Sequence, residues 1–259
     1  MEANGPLLHA SEVTLVYQGK RGDIMALKDL SLEVQDGEFV SVLGPSGCGK
    51  STFLKIAAGL VPPSKGRVEL AGKIIERPSP DVGVVFQKAN LLPWKTVLEN
   101  VLVAARSLGR DMAAARQTAN EYLALVGLEK FAANYPNELS GGMQQRVGLV
   151  RGLVHDPSVL LMDEPFAALD AMTREQMTLE LQKLWMTTEK SVLFITHSIP
   201  EAVFLSDRIV VLSERPGSVV MDLSVTLPRP RSFETLSDKA FNDICNQLRA
   251  HFSSFMAGG

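Results

Sequence analysis

Cysteine is scarce in this chain: Cys48 and Cys245 are the only two, so no disulfide framework holds it together. A dominant charge is missing as well. With 26 Lys and Arg against 29 Asp and Glu, the formal net charge is −3, which gives no footing for a nucleic-acid partner or an anionic lipid surface. No apolar run approaches the roughly 18 residues of a membrane span. The opening residues Met1-Glu2-Ala3-Asn4-Gly5 lack the basic and apolar regions of a secretion signal. Low-complexity tracts and internal repeats are also absent. These absences lead to the expectation of a cytosolic protein that meets a membrane only through a partner. At 259 residues, 46% of them hydrophobic, the chain can bury a sizeable core, either as one large α/β domain or as a core with a smaller subdomain.

The strongest local signal is Gly44-Pro45-Ser46-Gly47-Cys48-Gly49-Lys50-Ser51-Thr52. An apolar run, 39–43, precedes it, and a helical pattern follows. That is the strand–turn–helix setting in which a phosphate loop is credible. Glycines let the backbone approach a ligand closely. Successive N–H groups then converge at a helix N-terminus, where the dipole favours anions. Lys50 is expected to reach the outer phosphates and the Ser51 hydroxyl to sit on Mg²⁺. Cys48 would lodge among the phosphate donors.

Around this loop the chain reads as follows. Residues 11–17 and 26–34 alternate like half-buried strands joined by a turn at 18–23, an antiparallel edge. Gly59, followed by Pro62-Pro63, ends the first helix. Short strands are expected at 67–70 and 82–86. From 96 to 126 the pattern is helical with a break at Gly109, and a further helix is expected to start at Ser140 and run to about His155. Apolar runs at 158–162, 191–196 and 208–212, with an amphipathic helix at 173–187, predict a parallel sheet with crossovers. Pro228-Arg229-Pro230-Arg231 reads as a stiff linker before a terminal amphipathic helix at 238–252. The expected organisation is an α/β core over 1–87 and 157–228, a helical subdomain over 88–156, and a C-terminal linker and helix over 229–259.

Two further motifs carry chemistry. The run Val159-Leu160-Leu161-Met162-Asp163-Glu164-Pro165 delivers two carboxylates at the end of a strand, where α/β sheets keep their ligands. Asp163 suits a water-mediated Mg²⁺ contact, and Glu164 suits polarising the water that attacks a γ-phosphate. The run Leu139-Ser140-Gly141-Gly142-Met143-Gln144-Gln145-Arg146 puts a serine and two glycines at another helix N-terminus, a second anion cradle.

In this order and combination the three motifs resemble the ATP-binding cassette ATPases, over nearly all of the chain from about Ser11 to Leu227. The resemblance implies a P-loop NTPase (RecA-like) α/β core with an antiparallel β edge and an inserted all-α subdomain, acting on ATP with Mg²⁺. It implies roles for single residues. Tyr17 would stack on adenine. Gln87 would touch Mg²⁺ and link to a membrane partner, and Asp170, in Ala168-Leu169-Asp170, would belong to a loop crossing between subunits. His197 would be the switch histidine at the γ-phosphate. Met143 and Ala168 depart from common family residues, Gln and Ser, but lie outside the phosphate-bonding set. The resemblance also implies that Ser140, Gly141 and Gly142 close over the ATP of a second copy, giving a head-to-tail dimer with two shared nucleotides.

Within the family, the stretch 90–101, Gln144-Gln145-Arg146-Val147 and 168–174 are similar to ATPase subunits of bacterial nitrate, sulfonate and taurine importers. That similarity implies transmembrane permease subunits docked through the Gln87–Trp94 region, a solute-binding protein as an indirect partner, and a peripheral place on the cytoplasmic face of the inner membrane. Trp94 could equally face the core. From the short tail after Val225, no added regulatory β-domain is expected. An exporter cassette and a soluble, non-transport cassette ATPase are the alternative readings.

Overall fold

The structure, a computed structural model, describes residues 5–19 and 22–256. The chain begins with β1 (Leu8–Tyr17), β2 (Ile24–Val34), β3 (Phe39–Leu43) and α1 (Lys50–Ala57). Then come β4 (Lys65–Leu70), β5 (Lys73–Ile74), β6 (Val82–Val85), α2 (Val97–Ser107), α3 (Met112–Leu125) and α4 (Gly141–Leu153). It ends with β7 (Val159–Asp163), α5 (Ala171–Thr188), β8 (Ser191–Ile195), α6 (Ile199–Leu205), β9 (Arg208–Leu212), β10 (Val219–Ser224) and α7 (Lys239–Met256). Of the expected turn at 18–23, Lys20 and Arg21 lie outside the described residues.

The strands divide between two sheets. One has the order β10–β9–β3–β8–β7–β6, and the other β2–β1–β4–β5. From β9 to β6 the large sheet is parallel, with β10 antiparallel at its edge, while the small sheet is antiparallel throughout. Every residue of β3 and β8 is buried, as central strands covered on both faces require. Their period of two splits the side chains between two cores. Val40, Val42, Leu161 and Ile195 pack with α1 and the small sheet. Phe39, Leu160, Met162 and Phe194 pack beneath the helices.

The helical stretch is made by caps. Thr96 and Glu99 form a reciprocal capping box at the start of α2, Asp111 caps α3, and Ser140 caps α4. The buried faces of these helices share one continuous core with the large sheet. Three elements have no counterpart in the sequence reading: β5, β10 and α6.

The segment expected to be a stiff linker is instead docked. Arg231 is 2% exposed. Its Nη1 donates to the carbonyls of Val203, Phe204 and Ser206, each at 2.9 Å, and its Nη2 to Leu227 at 3.0 Å. Gln182 brackets its backbone on both sides. Arg229 lies over Trp185, 4.2 Å from the ring centroid, and pairs with Asp207. Burial, with Arg229 alongside, brings the Arg231 pKa down to about 10. The physical reason is local: α6 ends with free carbonyls, and a planar guanidinium caps several at once. Phe241, Cys245 and Leu248 of α7 then join the main core. Arg231→Ala is expected to lower unfolding free energy by about 2–4 kcal/mol, since it orphans buried carbonyls. Denaturant melts of the two proteins check this, and an unchanged midpoint would reduce the docking to surface decoration.

Candidate functional site

The parallel strands end on one side of the sheet, and five of their loops converge there. The loop after β3 carries Gly44 to Gly49 into α1. Gly49 has φ +113, and a Cβ built there would lie 2.6 Å from Leu27 Cδ2 and 2.7 Å from the Ala26 carbonyl, so only glycine fits. Lys50 is buried and folds back over its own loop, donating to the carbonyls of Gly44 at 2.8 Å and Pro45 at 2.9 Å. Both partners are neutral, and a phosphate oxygen competes favourably for the ammonium.

Cys48 is placed differently from expectation. Its thiol is 1% exposed within the core between the sheets, and burial pushes its pKa up. Its sulfur lies 2.8 Å from a Cβ built on Gly44 and packs in that core, so only the Cys48 backbone is left for a ligand.

The loop after β7 stands beside Ser51, whose hydroxyl donates to Asp163 Oδ1 at 2.8 Å. Burial raises the Asp163 pKa against that hydrogen bond, and the neighbouring Glu164 charge adds to the rise. Glu164 has φ +45, unusual for a residue with a side chain, and its N–H is tied to the Ile195 carbonyl at 2.9 Å. Its Oε2 lies 3.1 Å from His197 Nδ1. His197 is fixed in turn by its flanks. Thr196 donates to buried Glu201 at 2.6 Å and accepts the Ser198 N–H at 3.0 Å. Burial raises the Glu201 pKa. Gln87 is exposed just beyond β6. The parallel register pairs Val85 with Met162, so its continuation sets Gln87 level with Glu164.

A cleft of about 420 Å³ runs along the phosphate loop to Glu164, lined by Tyr17, Ala26, Gly47, Lys50, Thr52 and Glu164, among others, while Asp163, His197 and Gln87 lie outside its lining. Tyr17 is 41% exposed and its hydroxyl is 3.4 Å from Thr52 Oγ1, so a ring face is open at one end of the loop. Arg215, after β9, also lines the cleft, and nothing in the sequence marked it.

The other expected site residues lie elsewhere. Ser140 caps α4 and accepts the Met143 N–H at 3.3 Å, with Gly141 exposed beside it and no atom within 4 Å of a Cβ built there. None of Ser140, Gly141 and Gly142 lines the cleft. Gly142 packs on α5, where a Cβ would come within 2.7 Å of Thr173. Asp170 caps that same helix, accepting from the Thr173 N–H at 3.0 Å and its hydroxyl at 2.6 Å, and these bonds lower its pKa. The second cradle and Asp170 therefore form one surface, separate from the phosphate loop of their own chain.

Trp94 is 70% exposed, which settles the alternative left open by the sequence. Hydrogen bonds hold its loop from beneath. Buried Asn100 accepts the Leu92 N–H at 2.7 Å and donates to the carbonyls of Leu92, Lys95 and Thr96. Arg151 donates to the carbonyls of Ala89 and Asn90. Neither clamp was read from the sequence, where a polar residue in a helical pattern carries no such mark.

Comparison with known proteins agrees with this geometry. A family model described as ABC transporter matches residues 27–167. The taurine import ATP-binding protein TauB of Rhizobium johnstonii is 50% identical over 247 residues, covering 93% of this chain and 94% of TauB. The nitrate import ATP-binding protein NrtD of a Synechocystis species is 45% identical, over 85% of this chain and 83% of NrtD. The bicarbonate transport ATP-binding protein CmpD of Synechococcus elongatus is 43% identical, over 93% and 88%. Among solved structures, a dimeric post-hydrolysis state of the ATP-binding cassette MJ0796, bound to ADP and Pi, superposes with a TM-score of 0.73 at 36% identity, covering 87% of this chain and all (100%) of that one.

Proposed function

The chain belongs to the ABC transporter family, and from that premise we propose that it is the ATP-hydrolysing subunit of an importer for a small solute such as nitrate, taurine or another sulfonate. The similarity to import ATP-binding proteins supports the importer reading. The observation that carries the chemistry is one connected set of groups: Lys50, Ser51 and Glu164 line the cleft, Asp163 accepts from Ser51, and His197 meets Glu164.

In this reading Gly44, Pro45, Ser46, Gly47, Cys48, Gly49, Lys50, Ser51 and Thr52 enclose the phosphates, mainly through backbone N–H groups, while Tyr17 covers the base. Ser51, Asp163 and Gln87 would hold Mg²⁺. The fit rests on hard oxygen donors already 2.8 Å apart and on a carboxylate pressed by a neighbouring negative charge, both of which a small divalent cation suits. When bound, Mg²⁺ supplies positive charge to the phosphate oxygens. Glu164 takes the proton of the attacking water, and His197 orients that carboxylate.

Ser140, Gly141, Gly142 and Asp170 serve a second copy, a reading supported by their absence from the lining of their own cleft. A two-fold dimer is then needed to finish each site, as the dimeric MJ0796 cassette supports. Residues 88–156 would act as the helical subdomain that carries this cradle, against an α/β core over 1–87 and 157–228.

Among the described residues no helix is long and apolar enough to cross a membrane. The proposed place is peripheral, on the cytoplasmic face, through permease subunits that receive the Gln87–Trp94 loop, with a solute-binding protein delivering substrate. An exposed indole on a loop clamped by Asn100 supports this docking. Trp94→Ala is expected to reduce capture of the permease from detergent-solubilised membranes by at least about tenfold, in keeping with the loss of a buried aromatic anchor. Equal capture would remove the docking role. The importer reading itself is tested by deleting the gene and growing the strain on nitrate or taurine as sole nitrogen or sulfur source. Growth on every such source would contradict it.

A further inference from the structure

The loop after β9, Ser213 to Ser218, is wedged against the phosphate loop. Ser213 fixes its two ends, donating to the Pro216 carbonyl at 3.0 Å and accepting the Ser218 N–H at 3.0 Å. Gly217 sits between β2 and the phosphate loop, with its N–H on the Ala26 carbonyl at 3.0 Å and its carbonyl receiving the Lys28 N–H at 3.0 Å. A Cβ built on Gly217 would fall 2.2 Å from the Cys48 carbonyl, so the contact demands glycine here. This packing places Arg215 at the edge of the cleft. Its Nε donates to the Gly47 carbonyl at 3.1 Å, and Nη2 lies 3.2 Å from a Cβ built on Gly47.

A guanidinium pinned through Nε has its two Nη groups left as a preformed fork, the geometry that pairs with phosphate oxygens. Among the described residues Arg215 makes this one hydrogen bond and no ion pair, although it lines the same cleft as Lys50 and Ser51. We propose that Arg215 is a nucleotide-binding residue, a second cation anchored on the phosphate loop that pairs with the phosphates of the bound nucleotide. The anchor is on the loop rather than on the Glu164–His197 side. Arg215 therefore holds nucleoside diphosphate and triphosphate alike. The proposal rests on the reading of this cleft as the nucleotide site.

The test is equilibrium binding of ADP and of ATP to the full chain and to Arg215→Ala, Arg215→Gln and Arg215→Lys, at low and high salt, with Lys50→Ala in parallel. The expected result is a Kd about tenfold higher for both nucleotides in the Ala and Gln variants, the scale of one charge-assisted contact. Arg215→Lys should recover part of the loss, and the gap to the unaltered chain should narrow at high salt. Wild-type affinity in Arg215→Ala alongside lost affinity in Lys50→Ala overturns this proposal alone. Wild-type affinity in both overturns the nucleotide site itself. Equal weakening in all three Arg215 variants, insensitive to salt and matched by a lower melting temperature without nucleotide, reduces Arg215 to a loop brace and also overturns the proposal.

Discussion

Glu164→Gln is expected to slow ATP turnover by about 10²–10⁴-fold, the share that a positioned general base supplies, and to leave a dimer that persists in Mg-ATP. The substitution keeps almost everything else. The amide has the same length, can still meet His197 across the 3.1 Å gap, and keeps the backbone N–H on Ile195. What it loses is the charge that accepts a proton from water. Unsplit nucleotide then stays between the phosphate loop of one copy and the Ser140–Gly142 cradle of the other. Charge-assisted bonds of about 1.5–3 kcal/mol each hold the halves together. Light scattering under saturating Mg-ATP should report twice the mass of one chain. A variant that remains monomeric there removes the shared-site reading, and one that hydrolyses at near wild-type rate removes Glu164 as the base.

Lys50→Ala should act one step earlier, on binding. The ammonium is buried and held by two carbonyls of its own loop, so it is already positioned where phosphate oxygens arrive. Removing one strong charged contact costs about 1.5–3 kcal/mol, or roughly 10–150-fold in Kd for ATP. Lys50→Met separates charge from packing, because it keeps most of the stem. Comparable weakening in both variants assigns the loss to the charge, whereas recovery in Lys50→Met assigns it to the stem. Unchanged ATP affinity in Lys50→Ala would remove the residue from the phosphate site.

Much of this architecture was legible because it is written in local chemistry. The apolar run before Gly44 became β3, and the glycine-rich turn after it became the loop that only glycine can make at Gly49. The expected cap at Ser140 starts α4, and the break at Gly109 separates α2 from α3. The carboxylate pair and His197 fall at strand ends as expected, and Glu164 meets His197.

What stayed hidden depends on partners distant in sequence. α6 is too short and too proline-marked at Pro200 for a periodic signal, and it is stabilised by Arg231 reaching its carbonyls. The exposed alternation of β10 is meaningful only once β9 is beside it. Residues Pro228 to Arg231 look like a spacer until the free end of α6 and the face of Trp185 are known. The burial of the Cys48 thiol is not legible because a loop pattern specifies where N–H groups point but not where a side chain goes. Arg215 could have been suspected only from knowing that β9 neighbours β3, which the order of the chain does not reveal.

The most direct test of the whole account is ATPase activity per chain measured as a function of chain concentration, with oligomeric mass followed in the same samples. If the serine-capped helix of a second copy completes each cleft, as proposed, activity per chain should rise in proportion to concentration while monomers predominate, and level off once dimers form. Constant activity per chain down to samples that contain only monomers would contradict it.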